Sequence, residues 1–493
     1  MMASSASFNA FVAIESNTQI ADPPAAIKKD SINRHPAPDI HKLDQLSIGN
    51  RYNGPSEPPT PTGVQTPITP NELEMTRPMS AVNEQPVEVM QTLTNPPMNR
   101  WRLLSACMMC FGNGLNDSAP GALIPYMEKD YSIGYAVVSL IFVTNAIGFI
   151  SAAPSTQPLL ARLGRAKTLL LAELLMMAGH LMLVCTPPFP VVVLSFFFTG
   201  LGQAVNLALN NVFCANLANH SIPLGLFHGS YGIGGTVSPL IATALVSTGG
   251  RWSSFYFISI GIAVINLCMA YWAYRHFEKD NSTQASLLVR TLSGRRTSRW
   301  TLLKQALKNK TTILGSLFIF AYQGAEVSIS GWVISFLIVY RHGDPSRVGY
   351  VTAGFWAGIT IGRFVLTHPA HKIGEKMAVI GLIVGATLFQ LLVWFVPNVV
   401  GEGVAVSIVG LLLGPIYPCS TAVYSRLVSK DIQMSSLAIV SALGSSGGAV
   451  APFFTGLLAQ QAGTWVLHPI CVGLFGGMVV LWGCLPRMGK RKE

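Results

Sequence analysis

Asn113, Asn116 and Asp117 lie in FGNGLNDSAPGALIPYM (111–127), inside an apolar run that begins near Arg102. Spacings of three and four put them on one face of a helix. A carboxylate at membrane depth costs several kcal/mol unless it faces a cavity or takes up a proton, which marks Asp117 as a functional residue. Gln203, Asn206 and Asn210 form a second stripe, with Asn211 beside them, in an otherwise apolar stretch. Amides facing lipid would be costly, so this face meets protein or water; bonding between helices explains one or two of them, and lining a cavity explains the set. A third stripe aligns Gln323, Glu326 and Ser330. Polar groups on such faces suit the binding of a small polar solute, and the carboxylates of Asp117 and Glu326 suit proton exchange. His228, Tyr231, Trp332, Trp356 and Tyr417 offer further polar or aromatic faces, although aromatics in apolar helices more often pack than bind.

The first and third stripes are copies. Ala321 to Leu337 follows Phe111 to Met127 without a gap at a spacing of 210: Asn113 falls on Gln323, Gly114 on Gly324, Asn116 on Glu326, Ser118 on Ser328 and Gly121 on Gly331. Gly148, Gly164 and Gly200 match Gly358, Gly374 and Gly410 at 210, and Gly234, Gly235, Pro239 and Trp252 match Gly447, Gly448, Pro452 and Trp465 at 213. An internal repeat with polar residues at corresponding depths is the pattern of a secondary transporter built from two similar halves.

The elements that must position these residues are membrane helices. Half of the 493 residues are apolar and 11% are charged, which excludes an ordinary soluble protein. Apolar runs of about 20 residues fall at 102–125, 135–157, 167–185, 191–215, 222–246 and 252–274, and again at 312–340, 348–369, 377–396, 404–428, 434–459 and 466–485. The expected fold is an all-α membrane protein of twelve helices: a six-helix bundle over 101–274, a linker over 275–311, a second bundle over 312–485 and a basic tail over 486–493. Residues 1–100, rich in Pro, Ser, Thr and Asn, read as a disordered tail. Thr60, Thr66 and Thr69 precede proline there, and RRTS (295–298) offers Ser298, so kinases are candidate partners.

The loops expected on one side hold 20 Lys/Arg and those on the other hold four, Lys129, Arg251, Arg341 and Arg347. That bias places both termini in the cytoplasm. Acceptor triplets at Asn219, Asn281 and Asn309 all fall on the inner side, where they escape glycosylation. RWTLLKQALKNK (299–310) has the pattern of a helix lying on the anionic leaflet, with a solvated linker as the alternative. The net charge of +11 does not indicate nucleic acid, because it is distributed between apolar runs as topology requires. The eight cysteines lack paired spacing, and no catalytic triad, metal set, cofactor motif or phosphate loop is visible, so an enzyme is not expected. Glu173 is expected to pair near the inner surface with Lys167, and Arg363 with His371; His180 is expected to be satisfied locally.

ARLGRAK (161–167) and HKIGEK (371–376) resemble the loop motifs of the major facilitator superfamily. Arg162, Gly164, Arg165 and Lys167 fit that motif, whereas Gln157 and Ala161 replace its usual Gly and Asp. GLND (114–117) followed by Pro125, FHGSYGIGG, FWAGITIGRF (355–364) and GPIYPC (414–419) resemble the fucose permease-like sugar:proton symporters and their fungal bypass-of-stop-codon relatives. The resemblance implies a proton-coupled carrier in the plasma membrane rather than the vacuole, with Asp117 in the proton step and with gating at Arg162, Gly164, Arg165, Arg363, Lys372 and Gly374. It also implies a carboxylate on the fourth span, where GLGQAVN offers Val205 or Asn206. Glu326 is the candidate replacement.

The expected function is therefore alternating-access symport of a small polar solute, with sugars among the candidates, together with protons. Asp117 and Glu326 would carry protons; Asn113, Asn116, Gln203, Asn206, Asn210, His228, Tyr231, Gln323, Trp356 and Tyr417 would bind solute. Proton-driven export of organic solutes or drugs is the first alternative, although Ser238 interrupts the Gly-Pro element of antiporters at GTVSP (235–239). A membrane sensor that no longer transports is the second.

Overall fold

The computed structural model describes residues 91–218, 221–280 and 299–486, all within one compact unit. Among the described residues every regular element is a helix. In chain order those of seven residues or more are α1 (Asn99–Tyr131), α2 (Leu140–Val184), α3 (Phe189–Ala215), α4 (Ser221–Ser247), α5 (Phe255–Tyr274), α6 (Arg299–Lys308), α7 (Lys310–Val339) and α8 (Tyr350–Val365), then α9 (Thr367–Ile373), α10 (Glu375–Phe395), α11 (Val399–Leu413), α12 (Ile416–Leu427), α13 (Lys430–Ser445), α14 (Gly447–Ala462) and α15 (Leu467–Gly483). Seven segments among the described residues are long and apolar enough to cross a membrane.

Several boundaries differ from the sequence reading for local reasons. The expected spans at 135–157 and 167–185 are the two helical segments of α2, separated by a non-helical kink at Gly164 with a φ of 76°. Gly374 makes the corresponding turn before α10 with a φ of 102°. Both conformations strain any residue with a side chain, which is why glycine stands at each. The expected span at 404–428 is two helices, α11 and α12, broken at Gly414 and Pro415, and the span at 434–459 breaks at Ser446 between α13 and α14. Tail residues 1–90, Asn219, Asn281, Ser298 and the basic end at 487–493 lie outside the described residues. Asn309 caps α7, its side chain accepting from the Thr312 N–H.

Helices cross where glycine removes the side chain between them. A methyl group added at Gly148 would lie 2.1 Å from the Phe197 carbonyl oxygen, and one at Gly200 would lie 2.3 Å from that of Asn145, so α2 and α3 touch backbone to backbone. The same pair recurs 210 residues on, with Gly358 2.2 Å from the Ser407 oxygen and Gly410 2.2 Å from the Phe355 oxygen, pressing α8 against α11. Without a hydrophobic driving force between helices in lipid, such close approach supplies dispersion contacts that hold a bundle together.

Further close approaches join the N-terminal helices to the C-terminal ones. We call the ends at which α1 and α7 begin the near face and the opposite ends the far face. Near the far face, Gly121 of α1 meets the Ser330 oxygen of α7, Gly349 meets Thr243 of α4, and Gly456 of α14 meets Ser139 and Tyr135. The α4–α8 contact continues toward the near face, through Gly235 on Trp356, Gly232 on Thr360 and Gly229 on Phe364.

Candidate functional site

Asp117 sits in α1 three residues before Pro120, which cannot donate a backbone hydrogen bond to the Asn116 carbonyl. Its carboxylate is 5% exposed and its Oδ2 accepts from Gln203 Nε2 at 2.6 Å and from the Tyr231 hydroxyl at 2.5 Å. Oδ1 has no hydrogen-bond partner among the described residues. Tyr231 can stand there because Gly114 lets α4 approach: a methyl on Gly114 would lie 2.1 Å from the Tyr231 carbonyl oxygen.

From Asp117 a polar network runs inward. Asn116 donates to Gln203 Oε1 at 3.2 Å, and His180 Nε2 lies 3.1 Å from Asn116 Oδ1 with its ring stacked on Tyr256. Asn113 and Asn206 exchange amide hydrogen bonds of 2.7 and 3.2 Å. Asn206 Nδ2 also donates to Glu173 Oε1 at 2.7 Å, and Asn266 reaches the other carboxylate oxygen at 3.4 Å. Asn210 donates to Met109 Sδ at 3.0 Å and accepts from Tyr274 at 3.2 Å. The amide stripe of α3 thus lies buried against α1, α2 and α5, each member hydrogen-bonded to a neighbouring helix.

Glu173 departs from the sequence reading. It does not face Lys167 at a surface; it is buried in α2 and held by the amides of α3 and α5. A carboxylate thus lies next to Asn206, carried by the neighbouring helix rather than by the fourth span. Its signal in the sequence was a lone Glu seven residues before His180 on an apolar helix.

A second cluster gathers around α7. Glu326 is fully buried, with Arg363 Nη2 of α8 at 3.8 Å. Arg363 thus pairs with Glu326, while His371, its expected partner, bonds Glu375 Oε1 at 2.8 Å. The absence of a side chain at Gly414 makes this placement possible, since a methyl there would lie 2.9 Å from the Arg363 backbone nitrogen. The Tyr322 and Tyr417 rings lie 6.1 Å apart between centroids. Gln323 Oε1 and Trp356 Nε1 are buried without hydrogen-bond partners among the described residues. His228, half-buried on α4, lies within electrostatic range of Arg363. Tyr231 stands between the clusters: it is bonded to Asp117 and lies within electrostatic range of Glu326.

The loop motif is arranged differently again. Arg162 and Lys372 are exposed, whereas Arg165 is buried and donates its backbone N–H to Glu278 Oε1 at 2.6 Å and its Nη1 to the Leu209 oxygen at 2.5 Å. Its guanidinium, like that of Arg102, covers the Phe277 ring. Glu278 thus brings to the turn at Gly164 the acid that Ala161 lacks. In the second copy Glu375, beside Gly374, pairs with Arg426.

A helical bundle with buried carboxylates and amides at its centre and glycine-paired crossings repeated at a fixed interval defines a membrane transport protein rather than an enzyme. The Major Facilitator Superfamily model matches residues 106–452, and the chain belongs to that superfamily. It is 24% identical over 431 residues to Bypass of stop codon protein 6 of Saccharomyces cerevisiae, covering 80% of this chain and 84% of the yeast protein. It is 27% identical over 215 residues to a gentisate transporter of Corynebacterium glutamicum, covering 41% and 45% of the two chains. Among solved structures it is similar in fold to a bacterial homologue of the human lysosomal transporter Spinster in an inward-facing, unoccupied conformation, with a TM-score of 0.61, 13% identity, and coverage of 78% and 94%.

Proposed function

We propose that the protein is a proton-coupled symporter that moves a small polar solute by alternating access, with twelve membrane helices in two six-helix halves over 101–274 and 312–485. The observation that carries this reading is that Asp117 and Glu326, one from each copy of the repeat, are both near Tyr231, which bonds the first and lies within electrostatic range of the second. Asp117 has no cationic partner among the described residues and Glu326 has only the long contact to Arg363, and each carboxylate becomes cheap to bury when protonated. The far-face contacts at Gly121, Gly349 and Gly456 support a solute path that opens on the near face, which the Lys/Arg bias assigns to the cytoplasm.

In this cycle solute and proton bind from the outside, the halves rock about the α1–α7 and α4–α8 contacts, and both leave to the cytoplasm. Gln323, Trp356, Tyr417 and His228 meet the solute directly. Asn113, Asn116, Gln203, Asn206 and Asn210 act behind them, fixing the Asp117 carboxylate and relaying its charge state. The turns at Gly164 and Gly374, with Arg165, Arg162 and Lys372, close the cytoplasmic side. Sugars follow from the resemblance to fucose permease-like symporters, and the name of the Corynebacterium relative adds aromatic acids to the candidates.

The test is the external pH of cells expressing the protein as solutes are added. Alkalinisation by one solute, abolished by Asp117→Asn at unchanged surface level, is the expected result. Solute entry without proton movement would leave a uniporter and overturn the coupling.

A further inference from the structure

The pair formed by Glu326 and Arg363 is incomplete. A guanidinium and a carboxylate that serve only each other adopt a bidentate fork with contacts of about 2.7–2.9 Å. Here the approach is 3.8 Å, neither Glu326 oxygen accepts a hydrogen bond of ordinary geometry, and Arg363 Nε is buried without a partner among the described residues. The exposure is also uneven. Glu326 has no exposed side-chain surface, whereas Arg363 keeps 26% of its own. An entering molecule therefore meets the cation first, with the anion sealed behind it. Beside them stand Tyr322, with Tyr417 against its ring, and the unpartnered Gln323 oxygen lies on the same helix.

We propose that Arg363 anchors a carboxylate carried by the transported solute, which makes the solute a small monocarboxylic acid with an aromatic or hydroxylated body. This assignment rests on the reading above that the central region is the solute site. The unpartnered Nε belongs to a planar fork that matches a carboxylate, and the nearby Tyr322 and Tyr417 rings suit the flat body of such an acid. A neutral solute would leave those donors unfilled.

The assignment also fixes a proton. When the solute carboxylate takes the guanidinium, Glu326 loses its counter-charge, and a buried unpaired carboxylate is too costly to persist. It takes up a proton from water in the crevice, so a pair of Arg⁺ and Glu⁻ becomes Arg⁺, solute carboxylate and neutral Glu326. One proton enters with one anion. On release the carboxyl returns the proton and pairs with Arg363 again. The groups facing Glu326 are Arg363 from α8, Tyr322 on its own helix, Tyr231 from α4 with Asp117 of α1 behind it, and Tyr417 of α12 beside Tyr322. Helices α14 and α15 present Ala451, Gly447 and Leu474 to the same stretch of α7, and Thr455 reaches Ser328. None of these last is ionisable; His228 of α4 lies within electrostatic range of Arg363, which holds the nearest fixed positive charge in the cluster.

The purified full-length protein should be titrated with acids and their neutral counterparts: galacturonate beside galactose, benzoate beside benzamide, and lactate. Binding of at least one acid but not its neutral counterpart is expected, weakened about ten- to a hundredfold by Arg363→Gln. Glu326→Gln imitates the protonated carboxyl, so it should bind that acid at least as tightly as the parent and lose the parent's weakening as pH rises. This second variant keeps the proposal falsifiable should Arg363→Gln fail to fold. Equal binding of an acid and its neutral counterpart, an unchanged affinity in Arg363→Gln, or silence of every acid would each overturn the assignment. Vesicle experiments separate it from the symport reading: galactose-driven proton uptake without acid binding retains symport and removes the carboxylate, and acid binding without proton flux does the reverse.

Discussion

Glu173 and Asp117 are both buried carboxylates, yet their surroundings assign them different work. Asp117 has one oxygen bonded twice and the other unpartnered, which leaves room for a proton or a solute group. Glu173 has both oxygens engaged by amide donors from two helices. Replacing it with alanine strands Asn206 and Asn266 donors in the interior, at about 1–3 kcal/mol for each. Glu173→Ala is therefore expected to lower the melting temperature of the detergent-purified protein, whereas Glu173→Gln, which still accepts at one position, stays close to the parent. Equal melting of both variants would show that the carboxylate does not organise the network. The residues of the site were only partly legible in the sequence. Asp117, Glu326 and the amide stripe announce themselves as polar groups at helical spacing in apolar runs. Their partners do not: Arg363 with Glu326, Glu173 with Asn206 and Glu278 with Arg165 are contacts across helices, and periodicity along one helix carries no information about them.

At the scale of elements, the glycines that match at 210 do matching work. Gly148 and Gly358 each receive a carbonyl oxygen from the helix they cross, as do Gly200 and Gly410. Leucine at Gly148 or Gly358 must push those helices apart, and overpacking of this kind typically costs about 1–3 kcal/mol or more. Leucine at Gly381, which has nothing within 4 Å, serves as the control. Size-exclusion profiles of fluorescently tagged variants should show loss of the folded peak for the first two and retention for the third. Equal profiles would mean that the crossings tolerate separation. The apolar runs located the helices, but not the breaks inside them. Gly414 and Pro415 sit in an unbroken apolar stretch; Pro415 cannot donate to the Leu411 carbonyl, and Gly414 admits the backbone of α8 arriving from elsewhere in the fold.

For the whole molecule, alternating access requires the far-face contacts to part once in each cycle. A methyl on Gly349 would lie 2.9 Å from Thr243 Cβ, so cysteines at both positions need only a small relaxation to reach the Cβ separation of a disulfide, about 3.5–4.5 Å. With exposed Cys185, Cys268 and Cys484 replaced, oxidation of Thr243→Cys with Gly349→Cys should arrest transport, and reductant should restore it. Transport that persists in the cross-linked protein would mean that this end never opens.

The backbone-on-backbone crossings carry a mechanical consequence. Where two helices meet through glycine, no flexible side chain lies between them to absorb displacement, so the crossing transmits force almost without loss. The seams near Gly232 and Gly349 rest instead on threonine side chains, which can change rotamer as the surfaces slide. Stiffness is thus concentrated at the α2–α3, α8–α11 and α1–α7 crossings, and compliance along the α4–α8 seam between the copies. Spin labels placed across the α2–α3 crossing should report one fixed distance throughout turnover, and labels placed across α4 and α8 should report two.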